Sequence, residues 1–144
     1  FGKAPLGLHE VLQQRKSPLV EWSILRLVNL GFARGGNPAA LAFSLEETPT
    51  TRTSAVLTAK LGDLYAAQGK PASAIAAYER ALRLAPSLQQ RLGLRLTLGE
   101  KLMAEGHADD ARKNFEQLLA DAPDYPDQEI IRQRLAALVR KAKP

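Results

Sequence analysis

The sequence predicts an all-α fold of antiparallel helix pairs, and three observations carry that prediction. Apolar residues recur at helical spacing along most of the 144-residue chain, and nothing alternates with period two for long enough to build a sheet. Prolines punctuate the apolar runs at Ser17-Pro18, Asn37-Pro38, Lys70-Pro71 and Tyr125-Pro126. Proline suits the first helical position, where its missing N–H loses nothing. Third, the block LGDLYAAQGKPASAIAAYERALRLAP (61–86) returns without a gap as LGEKLMAEGHADDARKNFEQLLADAP (98–123), a shift of 37 residues.

Taken in order, these signals place eight helices, at about 6–15, 18–33, 38–47, 53–68, 71–84, 88–105, 108–121 and 127–142. The first carries Leu6, Leu8, Val11 and Leu12, which would be exposed at an N-terminal edge and could support self-association. Ser17 and Asn37 are good N-caps for the second and third. Gly69 and Gly106 follow the last turns of their helices and suit a left-handed C-terminal position. Ser87 with Gln90 forms a capping-box pattern ahead of LGLRLTLGEKL. Asp109 and Asp110 fall in a first turn, where the helix dipole favours negative charge. The last helix would turn Ile130, Ile131, Leu135, Leu138 and Val139 inward, and Arg132, Gln133, Arg140 and Lys141 to water. Short connections make neighbouring helices antiparallel.

The repeat register is informative residue by residue. Leu61 falls on Leu98, Gly62 on Gly99, Tyr65 on Leu102, Gly69 on Gly106, Ala74 on Ala111, Tyr78 on Phe115 and Pro86 on Pro123. One step back the copy is degenerate, with Leu25 and Phe32 under the two glycines and Asn37 under the alanine. One step forward puts Leu135 and Val139 where Leu98 and Leu102 stand. Gly62 and Gly99 lie inside helices, where glycine costs about 1 kcal/mol against alanine. The expected compensation is close packing against Ala74 and Ala111 on the following helix.

These residues resemble the tetratricopeptide repeat (TPR) family. Leu61-Gly62, Tyr65, Gly69, Ala74, Tyr78, Ala81 and Pro86 occupy the family's patterned places, with Thr58 where an aromatic is usual. The family repeats every ~34 residues. The longer step here implies an extra helical turn or a longer loop near Ser87–Leu92. The resemblance implies a right-handed α-solenoid, a TPR-like superhelix ending in a capping helix. The expected organisation is one domain: an N-terminal helix (1–17), a degenerate repeat (18–54), two repeats (55–91 and 92–126) and the cap (127–144). The chain opens on Phe1, which fits a processed product or a piece of a longer protein.

The resemblance also implies a function: a non-enzymatic scaffold that binds a protein or peptide in a concave groove lined by the first helix of each pair. The mapped groove positions are Trp22, Arg26 and Asn29, then Ala59, Asp63 and Ala66, then Leu96, Glu100 and Met103. Some members clamp a C-terminal carboxylate with basic residues. Asp63 and Glu100 would repel such a tail, so a basic or neutral partner is expected. Trp22 is read first as packing on the 6–15 helix and second as a groove anchor.

The chemistry-bearing residues point away from catalysis. There is no cysteine, no HExxH pair, no GxxxxGK[ST] loop and no G-x-S-x-G elbow. His9 and His107 read as ordinary helix and turn residues, so neither metal nor cofactor is expected. No apolar run approaches a membrane span. The net charge is +5, concentrated at the ends: Lys3, Arg15, Lys16, Arg26 and Arg34 near the start, Arg132, Arg134, Arg140, Lys141 and Lys143 near the finish. Two alternatives follow: a basic helical module binding nucleic acid or an anionic surface, or a regulatory C-terminal region of a larger enzyme. The alternating charges of the middle and the lack of interleaved aromatics weigh against nucleic acid. Arg80, Arg83, Arg91 and Arg95 read as solvated outer faces. Compartment is left open.

Overall fold

Helix signals local to the sequence set most of the architecture. The computed structural model describes residues 18–142. The 6–15 helix and the Ser17 cap lie outside them. Within them run seven α-helices: α1 (Pro18–Ala33), α2 (Pro38–Glu47), α3 (Ala55–Ala67), α4 (Pro71–Leu82), α5 (Leu88–Ala104), α6 (Ala108–Asp121) and α7 (Gln128–Ala142). No strand occurs among the described residues. Pro18, Pro38 and Pro71 open their helices, whereas Pro126 sits in a turn before α7. Asn37 Oδ1 accepts from the Ala39 N–H at 2.8 Å. At α5 the capping box closes both ways, Ser87 Oγ accepting from the Gln90 N–H and Gln90 Oε1 from the Ser87 N–H.

Three helices stop in the same way. Gly35, Gly69 and Gly106 have φ of 82°, 72° and 81°, the left-handed region that costs glycine least. The next N–H then reaches back to a carbonyl five residues earlier: Gly36 to Gly31, Lys70 to Tyr65 and His107 to Leu102. Gly35, not Phe32, is therefore the first-repeat counterpart of Gly69. It precedes Gly69 by 34 residues, while Gly69 precedes Gly106 by 37. The longer step lies in α5, which has 17 residues against 13 in α3.

The junction between α2 and α3 was not expected. A 3-10 turn, Pro49–Thr53, precedes α3, which begins at Ala55 under a Ser54 cap rather than at residue 53. Ser54 Oγ accepts from the Leu57 N–H at 3.1 Å. Thr51 Oγ1 donates to the Leu45 carbonyl and Thr58 Oγ1 to the Thr51 carbonyl, both at 2.7 Å and both buried. Thr58 thus staples the turn to α3, where an aromatic would only fill space, and Thr51 staples it to α2.

Packing follows the repeat. Helices α3 and α4 form one close pair and α5 and α6 another. Between pairs, α3 rests on α2, α5 on α4 and α7 on α6. One buried cluster joins Leu57, Leu61 and Leu64 of α3 to Val28, Ala42 and Leu45. A second runs from Ala74 and Tyr78 through Leu94, Leu98, Leu102, Phe115 and Leu118 to Ile131 and Leu138.

Gly62 and Gly99 face aromatic rings rather than the alanines expected. A Cβ on Gly62 would lie 2.7 Å from the Tyr78 ring, and one on Gly99 would lie 2.6 Å from the Phe115 ring. Both rings are buried, so the glycines are the seats of the aromatics in each pair's seam. Ala74 and Ala111 are fully buried beside them.

Two further expectations are corrected. Arg91 and Arg95 are not solvated outer residues. Arg91 Nε pairs with Asp121 Oδ2 at 3.1 Å, and Arg95 donates to Asn114 Oδ1 at 3.1 Å, so both tie α5 to α6. On α7, Ile131 and Leu138 point inward, but Ile130 and Val139 are 44% and 48% exposed. That helix buries only the stripe facing α6 and the preceding repeat.

Candidate partner-binding groove

Successive first helices α1, α3 and α5 lie side by side, and a cavity of about 410 Å³ opens between them. Leu25 comes from α1, Ala55, Val56, Ala59, Lys60 and Asp63 from α3, and Gln90, Gly93, Leu94 and Thr97 from α5. Tyr78 of α4 closes its base. The lining surface is mostly apolar, with the polar side chains of Lys60, Asp63, Gln90 and Thr97 among it. This is the composition of a site that takes an apolar side chain and orients it with a few polar contacts.

Gly93 is the least expected member. It interrupts the interior of α5 at a cost of about 1 kcal/mol relative to alanine. A Cβ there would meet nothing within 4 Å. Gly62 and Gly99 are explained by rings packed on them; Gly93 is explained by nothing inside the protein. The sequence signal was a lone glycine within LQQRLGLRL, which has no counterpart in the 37-residue register, since Val56 stands there in α3.

The mapped groove residues fall in three neighbouring places. Trp22, Arg26 and Asn29 line a shallow depression on α1 with Leu25, Leu30 and Ala33. Arg26 stacks its guanidinium over the Trp22 ring at 5.4 Å from the centroid, and Trp22 is 56% exposed. Ala59 and Asp63 line the central cavity. Glu100 and Met103 line a third depression with Ala104 and Arg134, where Glu100 and Arg134 stand 3.9 Å apart. Leu25 lines both of the first two, so they adjoin at that side chain. Ala66 and Leu96 line none of these and instead pack partly against the core.

Asp63 is also more than a free selector. Its Oδ1 accepts the Tyr78 hydroxyl at 2.5 Å. Burial, and then the hydrogen bond and charge of Asp63, push the Tyr78 phenol well above its ordinary pKa. On the other side of α3, the Tyr65 hydroxyl donates to Glu46 of α2, and burial with that carboxylate pushes its pKa up to about 12. Each tyrosine thus remains a neutral donor to a carboxylate on the facing helix. Among the described residues no group of three or more His, Asp or Glu is arranged to hold a metal ion. No helix there is long and apolar enough to cross a membrane.

Stacked helix pairs with a side-by-side row of first helices define an α-solenoid, a helical-repeat protein. The chain belongs to the tetratricopeptide repeat family. A family model described as tetratricopeptide repeat matches residues 65–137, and one described as tetratricopeptide repeat-like domain matches residues 1–98. No curated protein matches the chain. Domains of this family generally mediate protein–protein interaction and are typically non-enzymatic.

Proposed function

We propose that the groove between α1, α3 and α5 binds a segment of a partner protein by taking one of its apolar side chains into the central cavity. The observation that carries this reading is Gly93. An exposed, helix-weakening glycine faces open space on the α5 side of a mostly apolar cavity, where a partner's side chain can lie against the α5 backbone. The exposed Trp22–Arg26 pair extends the same surface and offers an aromatic and a cation. Asp63 in the cavity lining and Glu100 beyond it favour a basic or neutral segment over a carboxylate tail.

The test is selection of peptides from a random display library on the full chain, followed by binding to variants. Gly93→Leu projects a side chain into the cavity from a Cβ position that meets nothing within 4 Å, and should abolish binding while the fold persists. Trp22→Ala should weaken it. Reversing Asp63 to lysine is a poorer probe, because it also breaks the Tyr78 hydrogen bond; Glu100→Lys removes only the Arg134 pairing. Peptides that bind Gly93→Leu as tightly as the parent would end the groove reading.

A further inference from the structure

A second cavity, of about 400 Å³, opens where α2, the 3-10 turn, α3 and α4 meet. It shares no lining residue with the groove. Its lining runs from residue 46 to residue 80, with described helices before and after, so no chain end opens it. Arg52 comes to it from the turn and Arg80 from α4, and both are exposed. Neither forms an ion pair among the described residues. Arg80 stands near enough to Tyr65 for its charge to act on the phenol. Glu46, the acid in the lining, already accepts the Tyr65 hydroxyl. Two cations thus share a cavity with one engaged carboxylate.

The seam of α5 and α6, one repeat along, carries the acid that this one lacks. There Asp121 Oδ2 takes Arg91 at 3.1 Å and stands 3.9 Å from Arg95, while its Oδ1 accepts from Gln117 at 3.0 Å. At the 37-residue spacing, Leu84 stands in place of Asp121, Thr58 in place of Arg95 and Arg80 in place of Gln117. Thr58 is shorter than arginine and spends its hydroxyl on the Thr51 carbonyl, so the α3–α4 seam keeps open the room that a side chain as long as Arg95 would take. We infer that this cavity binds a carboxylate between Arg52 and Arg80, which does for them from outside what Asp121 does for Arg91 and Arg95 from within. The carboxylate comes from an acidic side chain of a protein segment or from a small free acid. A guanidinium fork matches its planar oxygens with two parallel hydrogen bonds. A phosphate dianion fits worse: two arginines against Glu46 leave one positive charge to answer, and Glu46 repels the second negative one.

The probe is the end-capped tripeptide Gly-Glu-Gly, titrated into the full chain and followed by the arginine Nε–H resonances. Those of Arg52 and Arg80 should move together and saturate, while those of Arg34 and Arg132 stay still. The Gly-Gln-Gly peptide should move neither. Acetate is the second arm. Saturation by acetate at the same concentration assigns the site to a free acid, and weaker binding of acetate assigns it to a side chain of a protein segment. Arg80→Gln, which installs the residue that the next repeat carries there, should weaken binding about tenfold or more, the scale of a hydrogen bond to a charged group. Arg52→Gln should do the same, and circular dichroism establishes that both variants stay helical. Gly93→Leu should leave this binding intact, which separates it from the groove. Shifts that never saturate, shifts shared by Arg34 and Arg132, or binding indifferent to both arginine variants overturn the inference. So does inorganic phosphate that binds more tightly than the glutamate peptide.

Discussion

The Tyr78 hydroxyl donates to Asp63 Oδ1 at 2.5 Å while the Tyr78 ring rests against Gly62, so one side chain locks α4 to α3 at two points. The third repeat keeps the ring and loses the hydroxyl, since Phe115 has only Gly99 to meet. Tyr78→Phe should therefore leave packing unchanged and cost about 1–2 kcal/mol, toward the low end for a hydrogen bond to a charged group because Asp63 faces water. Denaturant melts of the two proteins measure it; equal midpoints would show that the bond contributes nothing.

Three of the in-helix glycines, Gly62, Gly99 and Gly93, should respond with opposite signs to alanine. At Gly62 and Gly99 the new Cβ meets a buried ring, and overpacking of that kind costs about 1–3 kcal/mol. That exceeds the gain in helix propensity, about 1 kcal/mol. Gly93→Ala meets nothing within 4 Å and should keep most of the propensity gain. Thermal melts should show Gly93→Ala above the parent and the other two below it.

Thr58→Val tests the polar staple. The shape is nearly conserved, but the buried Thr51 carbonyl keeps only the longer bond from the Ser54 N–H at 3.3 Å, and losing one such hydrogen bond costs about 0.5–1.5 kcal/mol. Hydrogen exchange should speed up first in the 3-10 turn and the start of α3. Uniform exchange across the chain would instead mark Thr58 as ordinary core.

Alkali should weaken the α2–α3 contact in a defined direction. The Tyr65 phenol is raised from 10.0 to about 12, first by burial and then by the hydrogen bond and charge of Glu46. Between those values the unfolded chain gives up its proton and the folded chain keeps it. The stabilisation is thus complete below pH 10 and is lost as pH rises toward 12. Phenolate absorbance should follow Tyr65, and Glu46→Gln should lower its midpoint part of the way, because burial remains.

Much of the fold was legible because its signals are local. Asn37, the Ser87–Gln90 box and the glycines Gly69 and Gly106 act within four or five residues, so their types and spacing suffice. The first repeat was harder. A 37-residue ruler put Phe32 where a glycine belongs, although Gly35 lay three residues away; α5 is longer than α3 by a helical turn, and a fixed shift cannot see where a turn was added. The groove was legible in part. Ala59 and Asp63 follow from helix periodicity, but Gln90 belongs to the added turn, and Gly93 stands where the second repeat has Val56 rather than a glycine.

Alone, the sequence determined the seven described helices to within a few residues, most of their caps, their pairing and the family, because hydrogen bonding and apolar periodicity operate within one turn or one repeat. Only the tertiary structure decided what each repeated residue touches. It set Tyr78 rather than Ala74 on Gly62, turned Arg91 and Arg95 onto Asp121, and left Val139 uncovered. Those outcomes depend on the distance and rotation between helices, which the summed packing of many side chains sets and which no single spacing records.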